Sequence, residues 1–401
     1  MAKSADAFVA NPTSPSTVFA DATQAEDYDE EVVTRTRGSR PRRSDSTATP
    51  PQAEGAETAV VPEEAVNSGN GEADRLSVDS ALFAGTLASG PINDTAPLAR
   101  RGARSWFNML GFHLPPGRAE QADLDQSRHV ADAEAAIRQA TWTRAMSVLI
   151  ANPKGGTGKT PLSLLLGGTL AAVRGGYVAV IEVADDPGAL AYRAEGTPTR
   201  GIGDLVRDAA GIRTAGQLAG YTAPQTSFAA VIGSPGRRDR LEADGVAAMV
   251  HVIDEYYAIR VMDSGNQPTS SAFQGALDAT DVLVVPVVNA GDSTLEAVRL
   301  LEGLTDRGAH HADVAARAII VRVTDGRPEN AATNAEVARV LTSAGAATIC
   351  DLPYDPHIAE RGQLTLAKLQ PATRIALTNI AATVVRAMTD HAAHPTLEVK
   401  R

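Results

Sequence analysis

The chain has 401 residues, a formal net charge of −11, 43% hydrophobic residues and one cysteine, enough length for two or three domains but with a charge that is unevenly spread. A lone Cys350 excludes an internal disulfide and any multi-cysteine metal site. No run of 18 apolar residues and no basic-then-apolar leader is present, so neither a spanning helix nor a secretory signal is expected, and a cytoplasmic location follows as the expectation.

Residues 1–100 hold 16 Asp and Glu against 8 Lys and Arg, so most of the negative charge sits there and says little about what the rest binds. That segment is rich in Ala, Ser, Thr, Pro, Asp and Glu, has few aromatics and shows no helical or strand period. Such a composition does not offset a backbone ordering cost of roughly 1–2 kcal/mol per residue, which predicts a disordered acidic tail. Within it, an acidic block at 26–31 precedes the basic run RTRGSRPRR at 35–43. The pair reads either as a site for an anionic partner near phosphorylatable Ser39, Ser44 and Ser46, or as solvated charge with no specific role.

Residues 101–145 read as a linker. Its first part places Trp106, Phe107, Met109, Leu110, Phe112 and Leu114 beside Arg100, Arg101 and Arg104. This mixture suits a membrane interface or a partner surface, or else a strap packed on its own domain. Residues 119–143 read as an exposed helix, with Trp142 closing onto the core.

From Met146 the pattern changes. β-branched runs ending in Gly, Pro, Asn or Asp alternate with helical stretches up to about residue 390, leaving 391–401 as a C-terminal tail. The strand candidates are 147–151, 177–182, 228–232, 258–263, 282–287, 318–323 and 347–351, mostly continuous runs as expected of parallel strands buried on both faces. Helices fit at 160–174, 241–257, 293–307, 331–344 and 372–388. The predicted fold is α/β, a three-layer α/β/α arrangement with a mostly parallel sheet, and the glycine-rich loop KGGTGKT at 154–160 makes the expectation a P-loop NTPase fold.

The run SVLIANPKGGTGKTPLSLLL carries the chemistry. It sets a glycine-rich loop between a strand and a helix, so that backbone N–H groups of Gly155, Gly156, Thr157 and Gly158 can turn onto a phosphate at a helix N-terminus. Lys159 is then expected to reach the β- and γ-phosphates, and the Thr160 hydroxyl to ligate Mg²⁺. Pro161 costs nothing in a first helical turn. The chain has five lysines against 32 arginines, and two of the five lie in this loop, where a compact ammonium fits better than a guanidinium. Asp263, ending the buried run YYAIRVMD, reads either as a turn aspartate or as the carboxylate that completes a Mg²⁺ site. The expected ligands are therefore ATP and Mg²⁺.

KGGTGKT, with Lys154 at its head, resembles the deviant Walker A motif of the ParA/MinD family, and the likeness extends over roughly residues 146–390. The tract ANPKGGTGKT with LPYDPHIAE resembles in particular the actinobacterial branch linked to secretion or conjugation loci. The resemblance implies that Lys154 crosses a dimer interface to a partner's nucleotide, that Asp263 is the Walker B carboxylate, and that Pro353 and Tyr354 approach the adenine. It also implies catalytic roles for Lys154, Lys159, and the carboxylates after the second strand. There the family has Asp-x-Asp or Asp-x-Asn, whereas this chain reads Glu182-Val183-Ala184-Asp185-Asp186. Glu182 can replace the first carboxylate, Ala184 cannot position water, and Asp185 or Asp186 substitutes only if the loop bends. The base-reading Asn of the family is absent, with Arg322 near its place.

The function implied is a slow switch ATPase that dimerises on ATP, answers to a partner protein, and positions a cargo such as a plasmid, a chromosome or a secretion or conjugation complex. The alternative is a nucleotide-clamped scaffold with little turnover; a metabolic enzyme sharing the fold is the third reading. DNA is a candidate surface, although the C-terminal helix offers only Arg374 and Arg386, with Lys368 and Arg361 nearby. A membrane surface is less expected, since the chain end HAAHPTLEVKR is not a basic amphipathic helix. His391 and His394 are expected to be solvent-exposed rather than metal ligands.

Overall fold

A computed structural model describes residues 98–393. The expectations for residues 1–97 and for His394 fall outside the described residues. The first elements are helices α1 (Gly102–Met109) and α2 (Arg118–Gln139). Strand β1 (Met146–Ile150) then leads into α3 (Lys159–Arg174) and β2 (Val178–Val183). Helix α4 (Ile202–Asp208), the edge hairpin β3 (Ala223–Pro224) and β4 (Ala230–Ile232), α5 (Ala243–Asp254) and β5 (Ile259–Ser264) follow. The remainder runs α6 (Ser271–Asp278), β6 (Val282–Val288), α7 (Gly291–Thr305), α8 (Ala309–Ala316), β7 (Ile319–Val323), α9 (Ala331–Ser343), β8 (Thr348–Leu352) and α10 (Pro371–Ala393).

The eight strands form one sheet in the order β3-β4-β2-β5-β1-β6-β7-β8, and only the β3–β4 pair is antiparallel. β1, β2, β5 and β6 are buried at every residue, as strands covered on both faces must be. Alternate residues of one strand therefore feed different layers. Leu149 and Ala151 join the core under α4 to α9, while Val148 and Ile150 join the core under α2, α3 and α10. At the closest approach of α3 to the sheet, a Cβ on Gly167 would lie 2.3 Å from Val180 Cγ2. That contact is why a helix built on leucines carries a glycine there.

The three-layer fold is the expected one, with local differences. Phe228 is not in a strand: it has φ 68° and is exposed, and the hairpin bond from Phe228 N–H to the Gln225 carbonyl closes a turn before β4. Tyr177, also at positive φ, precedes β2 rather than starting it. Helices α4, α6 and α8 were not expected. They are seven or eight residues long, too short for a helical period to stand out from the loops around them.

His391 corrects an expectation. α10 continues through it, and it is buried, with Nε2 3.1 Å from Asp281 Oδ1 and Nδ1 2.6 Å from the Arg317 guanidinium. Asp281 also takes both Arg144 guanidinium nitrogens at 2.6 and 3.0 Å and the Ser147 N–H at 2.8 Å. Burial lowers the His391 pKa. The imidazole thus belongs to a polar network under α10, which no spacing along the chain announces. None of the described helices is long and apolar enough to cross a membrane.

Candidate functional site

The site lies at the C-terminal ends of β1, β2 and β5, where parallel strands leave a crevice. Asn152 pins the loop that follows β1. Its Nδ2 donates to the Pro286 carbonyl at 2.8 Å, and its Oδ1 accepts the Lys154 N–H at 2.9 Å. Gly156 and Gly158 then take φ of 80° and 91°, the left-handed region that glycine enters without strain, and α3 begins with no side chain capping it. The result is an open helix N-terminus behind a loop whose amides can face an anion.

Lys159 is sunk in this loop. Its ammonium donates to the carbonyls of Asn152 (2.9 Å) and Lys154 (3.2 Å) and to Asn266 Oδ1 (2.5 Å). Burial pushes its pKa down to about 8, against the pull of Asp263. Asp263 is buried beside it. Its carboxylate accepts the Thr160 hydroxyl at 2.7 Å and the Ser163 hydroxyl at 3.0 Å. Burial pushes it up to about 6; the two hydroxyls and Lys159 oppose that shift, and neighbouring Glu182 adds to it. A desolvated cation and a desolvated carboxylate thus face one cavity, and burial outweighs their mutual attraction in the pKa of each.

That cavity has a volume of about 710 Å³. Gly156 to Thr160, Glu182, Asp186, Asp263 and Pro353 all line it, so most of the residues singled out in the sequence converge there. Val323, Thr324, Tyr354 and Ile358 form the wall next to Pro353. Arg322 is not part of that wall: it pairs with Asp351 across the β7–β8 ladder, Nε to Oδ1 2.7 Å. Strand alternation turns its side chain to the face opposite Val323, the neighbour that does line the cavity.

Lys154 also points elsewhere. It lies outside the cavity, half-exposed, with its ammonium 2.8 Å from Asp292 Oδ2 at the start of α7. That contact raises the Lys154 pKa. Gly155 packs near the Asn266 amide, 3.7 Å from where its Cβ would be.

The acidic loop after β2 is organised by a residue the sequence reading passed over. The Arg238 side chain is 6% exposed and donates to Glu182 Oε1 (3.1 Å), the Ser234 hydroxyl (2.8 Å) and the carbonyls of Ala184 (2.7 Å), Asp185 (2.7 Å) and Asp186 (3.1 Å). The Ser234 hydroxyl gives Glu182 Oε1 a second bond at 2.5 Å. Glu182 Oε2 is buried with no bonding partner. Asp185 is taken by Arg240 at 2.7 Å, whereas Asp186 is exposed at the rim. The run PGRRDR that supplies both arginines was visible in the sequence, but its contact with residues more than 50 positions earlier was not.

Removing Arg238 would strand Glu182 as a buried, unpaired carboxylate. Arg238→Gln is therefore expected to destabilise the fold by roughly 3–5 kcal/mol. In urea denaturation the double variant with Glu182→Gln should recover part of that loss; equal losses in the single and double variants would show that the pair is not coupled.

No family model matches the chain. Two curated relatives, the ESX-1 secretion-associated protein EspI of Mycobacterium tuberculosis strains CDC 1551 / Oshkosh and H37Rv, are each 24% identical over 293 residues, which is 71% of this chain. The chain spans 42% of the length of those relatives. Among solved structures, a ParA family ATPase from Chlorobium tepidum matches 63% of this chain and 99% of its own at 16% identity and TM-score 0.47. The Pyrococcus furiosus cell division ATPase MinD matches 60% and 99% at 15% identity and TM-score 0.46. On its own residues the chain is a three-layer α/β protein with a glycine-rich loop between β1 and α3, and the solved structures similar to it include ATPases of the ParA and MinD families.

Proposed function

We propose that this chain is a P-loop ATPase of the ParA/MinD type that binds Mg²⁺-ATP, dimerises on it and hydrolyses it slowly. One observation carries the reading: the Lys159 ammonium and the Asp263 carboxylate are both buried at the same cavity, beside a glycine-rich loop and an uncapped helix N-terminus. Phosphate fits the first, and a divalent cation held by the Thr160 hydroxyl and Asp263 fits the second. When bound, Mg²⁺ would neutralise phosphate charge.

The chain's own residues divide the work. Amides of Gly155 to Thr160 and the α3 N-terminus hold the phosphates, and Lys159 supplies a fixed positive charge that needs no reorganisation. Pro353, Tyr354 and Val323 offer apolar surface to a base. Lys154 reaches a partner's phosphates across a homodimer interface, once it leaves Asp292. Glu182 offers its unpartnered Oε2 toward the cavity, with Asp186 at the rim as the second carboxylate; Ala184 offers nothing to orient water. Turnover is slow for that reason, and a partner protein is expected to raise it. The proposed setting is the cytoplasm, and the cargo is a secretion or conjugation complex or a DNA molecule.

The scaffold reading retains a specific support: Arg238 and Ser234 already occupy Glu182 Oε1, which suits a clamp better than a fast hydrolase. Steady-state ATP hydrolysis with Mg²⁺, run beside light scattering in ATP and in ADP, separates the two. Turnover with a dimer in ATP alone supports the switch. A dimer locked by ATP without turnover supports the scaffold, and failure to bind ATP would sink both.

A further inference from the structure

We infer that α1 and the turn after it form an interfacial anchor for an anionic lipid surface. Residues 98–118 carry four arginines, Arg100, Arg101, Arg104 and Arg118, and no Asp or Glu, in a chain whose net charge is −11. The same stretch exposes its large apolar groups. Trp106 is 57% exposed, Met109 80%, Leu110 56% and Phe112 58%. Six of the eleven exposed large hydrophobic residues among the described ones lie between Leu98 and Phe112. A strap packed on its own domain would bury these groups, so the structure rules that reading out for them.

The exposure is built rather than frayed. Asn108 staples the two ends of the segment: Nδ2 donates to the carbonyls of Ala99 (3.1 Å) and Leu114 (3.0 Å), and Oδ1 accepts the Leu114 N–H at 2.6 Å. Ala99 N–H donates to the Leu114 carbonyl at 3.0 Å, and Ala99 is buried. The rings of Trp106, Phe107 and Phe112 stack edge-on in series, with centroids 5.4 and 6.0 Å apart. The carboxylates that reach the segment, Glu120 and Asp123 of α2, hold its base through the Arg100 N–H and the Arg101 side chain. The apolar side chains stay exposed, as do the four arginines, of which Arg101 pairs with Asp123 and Arg104 donates to the carbonyls of Pro115 and Pro116.

A convex tip of Trp, Met, Leu and Phe needs no matching pocket when the partner is a fluid interface. There the aromatic rings sit at headgroup level while arginines extend to lipid phosphates. Each arginine near an anionic surface is expected to add about fivefold to binding. This inference makes no use of the nucleotide cavity and stands or falls separately from it.

The full chain provides its own reporter, since Trp106 and Trp142 are its two tryptophans. In a Trp142→Phe background, phosphatidylglycerol-containing vesicles should shift Trp106 emission to the blue and pull the protein down on sedimentation, and phosphatidylcholine vesicles should do so far less. Met109→Ser with Phe112→Ser should abolish both effects, and Arg100→Gln with Arg118→Gln should weaken binding about 25-fold, the product of two arginines. Because all four side chains are exposed, unchanged far-ultraviolet dichroism should accompany these losses. No emission shift with anionic vesicles would overturn the proposal, as would equal binding to neutral ones. Tighter capture of an acidic polypeptide than of vesicles would also overturn it and assign the knob to a protein partner.

Discussion

Lys159→Ala is expected to weaken ATP binding at least about 100-fold, roughly 2.7 kcal/mol, while leaving the protein folded. The ammonium is held by two loop carbonyls and the Asn266 side chain, so it is positioned before any anion arrives and loses little freedom on binding. Its burial also makes it a cost to the empty protein. A lysine whose folded pKa is lowered to about 8 binds fewer protons folded than unfolded between that value and its ordinary one near 10.5. Stability of the wild-type chain relative to Lys159→Ala should therefore rise as pH rises through that window, and be at its least favourable below it. Calorimetric titration with ATP checks the first statement, and thermal melts at pH 7 and pH 10 check the second. A variant that still binds ATP within threefold to fivefold of wild type would remove Lys159 from the phosphate site.

The second large effect is expected at Lys154. Lys154→Ala should abolish the ATP-dependent dimer while retaining some nucleotide binding by the same chain, because Lys154 lies outside the cavity and bonds to Asp292 instead. Both partners of that ion pair are well exposed, so water and salt screen it and the lysine can exchange it for another anion at small cost. Asp292→Ala should accordingly leave the dimer intact. Light scattering in ATP distinguishes the outcomes. A Lys154→Ala chain that dimerises normally would refute the cross-interface role, and an Asp292→Ala chain that fails to dimerise would mean that the pair is a structural element rather than a resting place for Lys154.

The two lysines differ by five positions, and the loop between them explains why their roles separate. Gly156 and Gly158 take positive φ between them, and the loop so formed buries Lys159 while Lys154 stays exposed. A spacing along the chain could suggest that both lysines serve phosphate, but which one is buried follows from the turn.

What the sequence determined by itself was local and periodic. Continuous β-branched runs made β1, β2, β5 and β6, because a strand covered on both faces has no polar side to display. A glycine-rich loop between strand and helix located the candidate anion cradle, since few other residue types allow that backbone. An apolar run ending in Asp263 located the carboxylate. What only the tertiary structure decided was long-range. Arg238 meets the loop after β2 across more than 50 residues, Asn266 meets Lys159 across 107, and Asp281 gathers Arg144 and Ser147 across more than 130. The burial of His391 and the exposure of Trp106 were likewise beyond the sequence. Hydrophobic periodicity reports which face of an element is apolar, whereas the partner of a polar group, or the absence of one over an apolar face, depends on which distant segment the packed layers bring beside it.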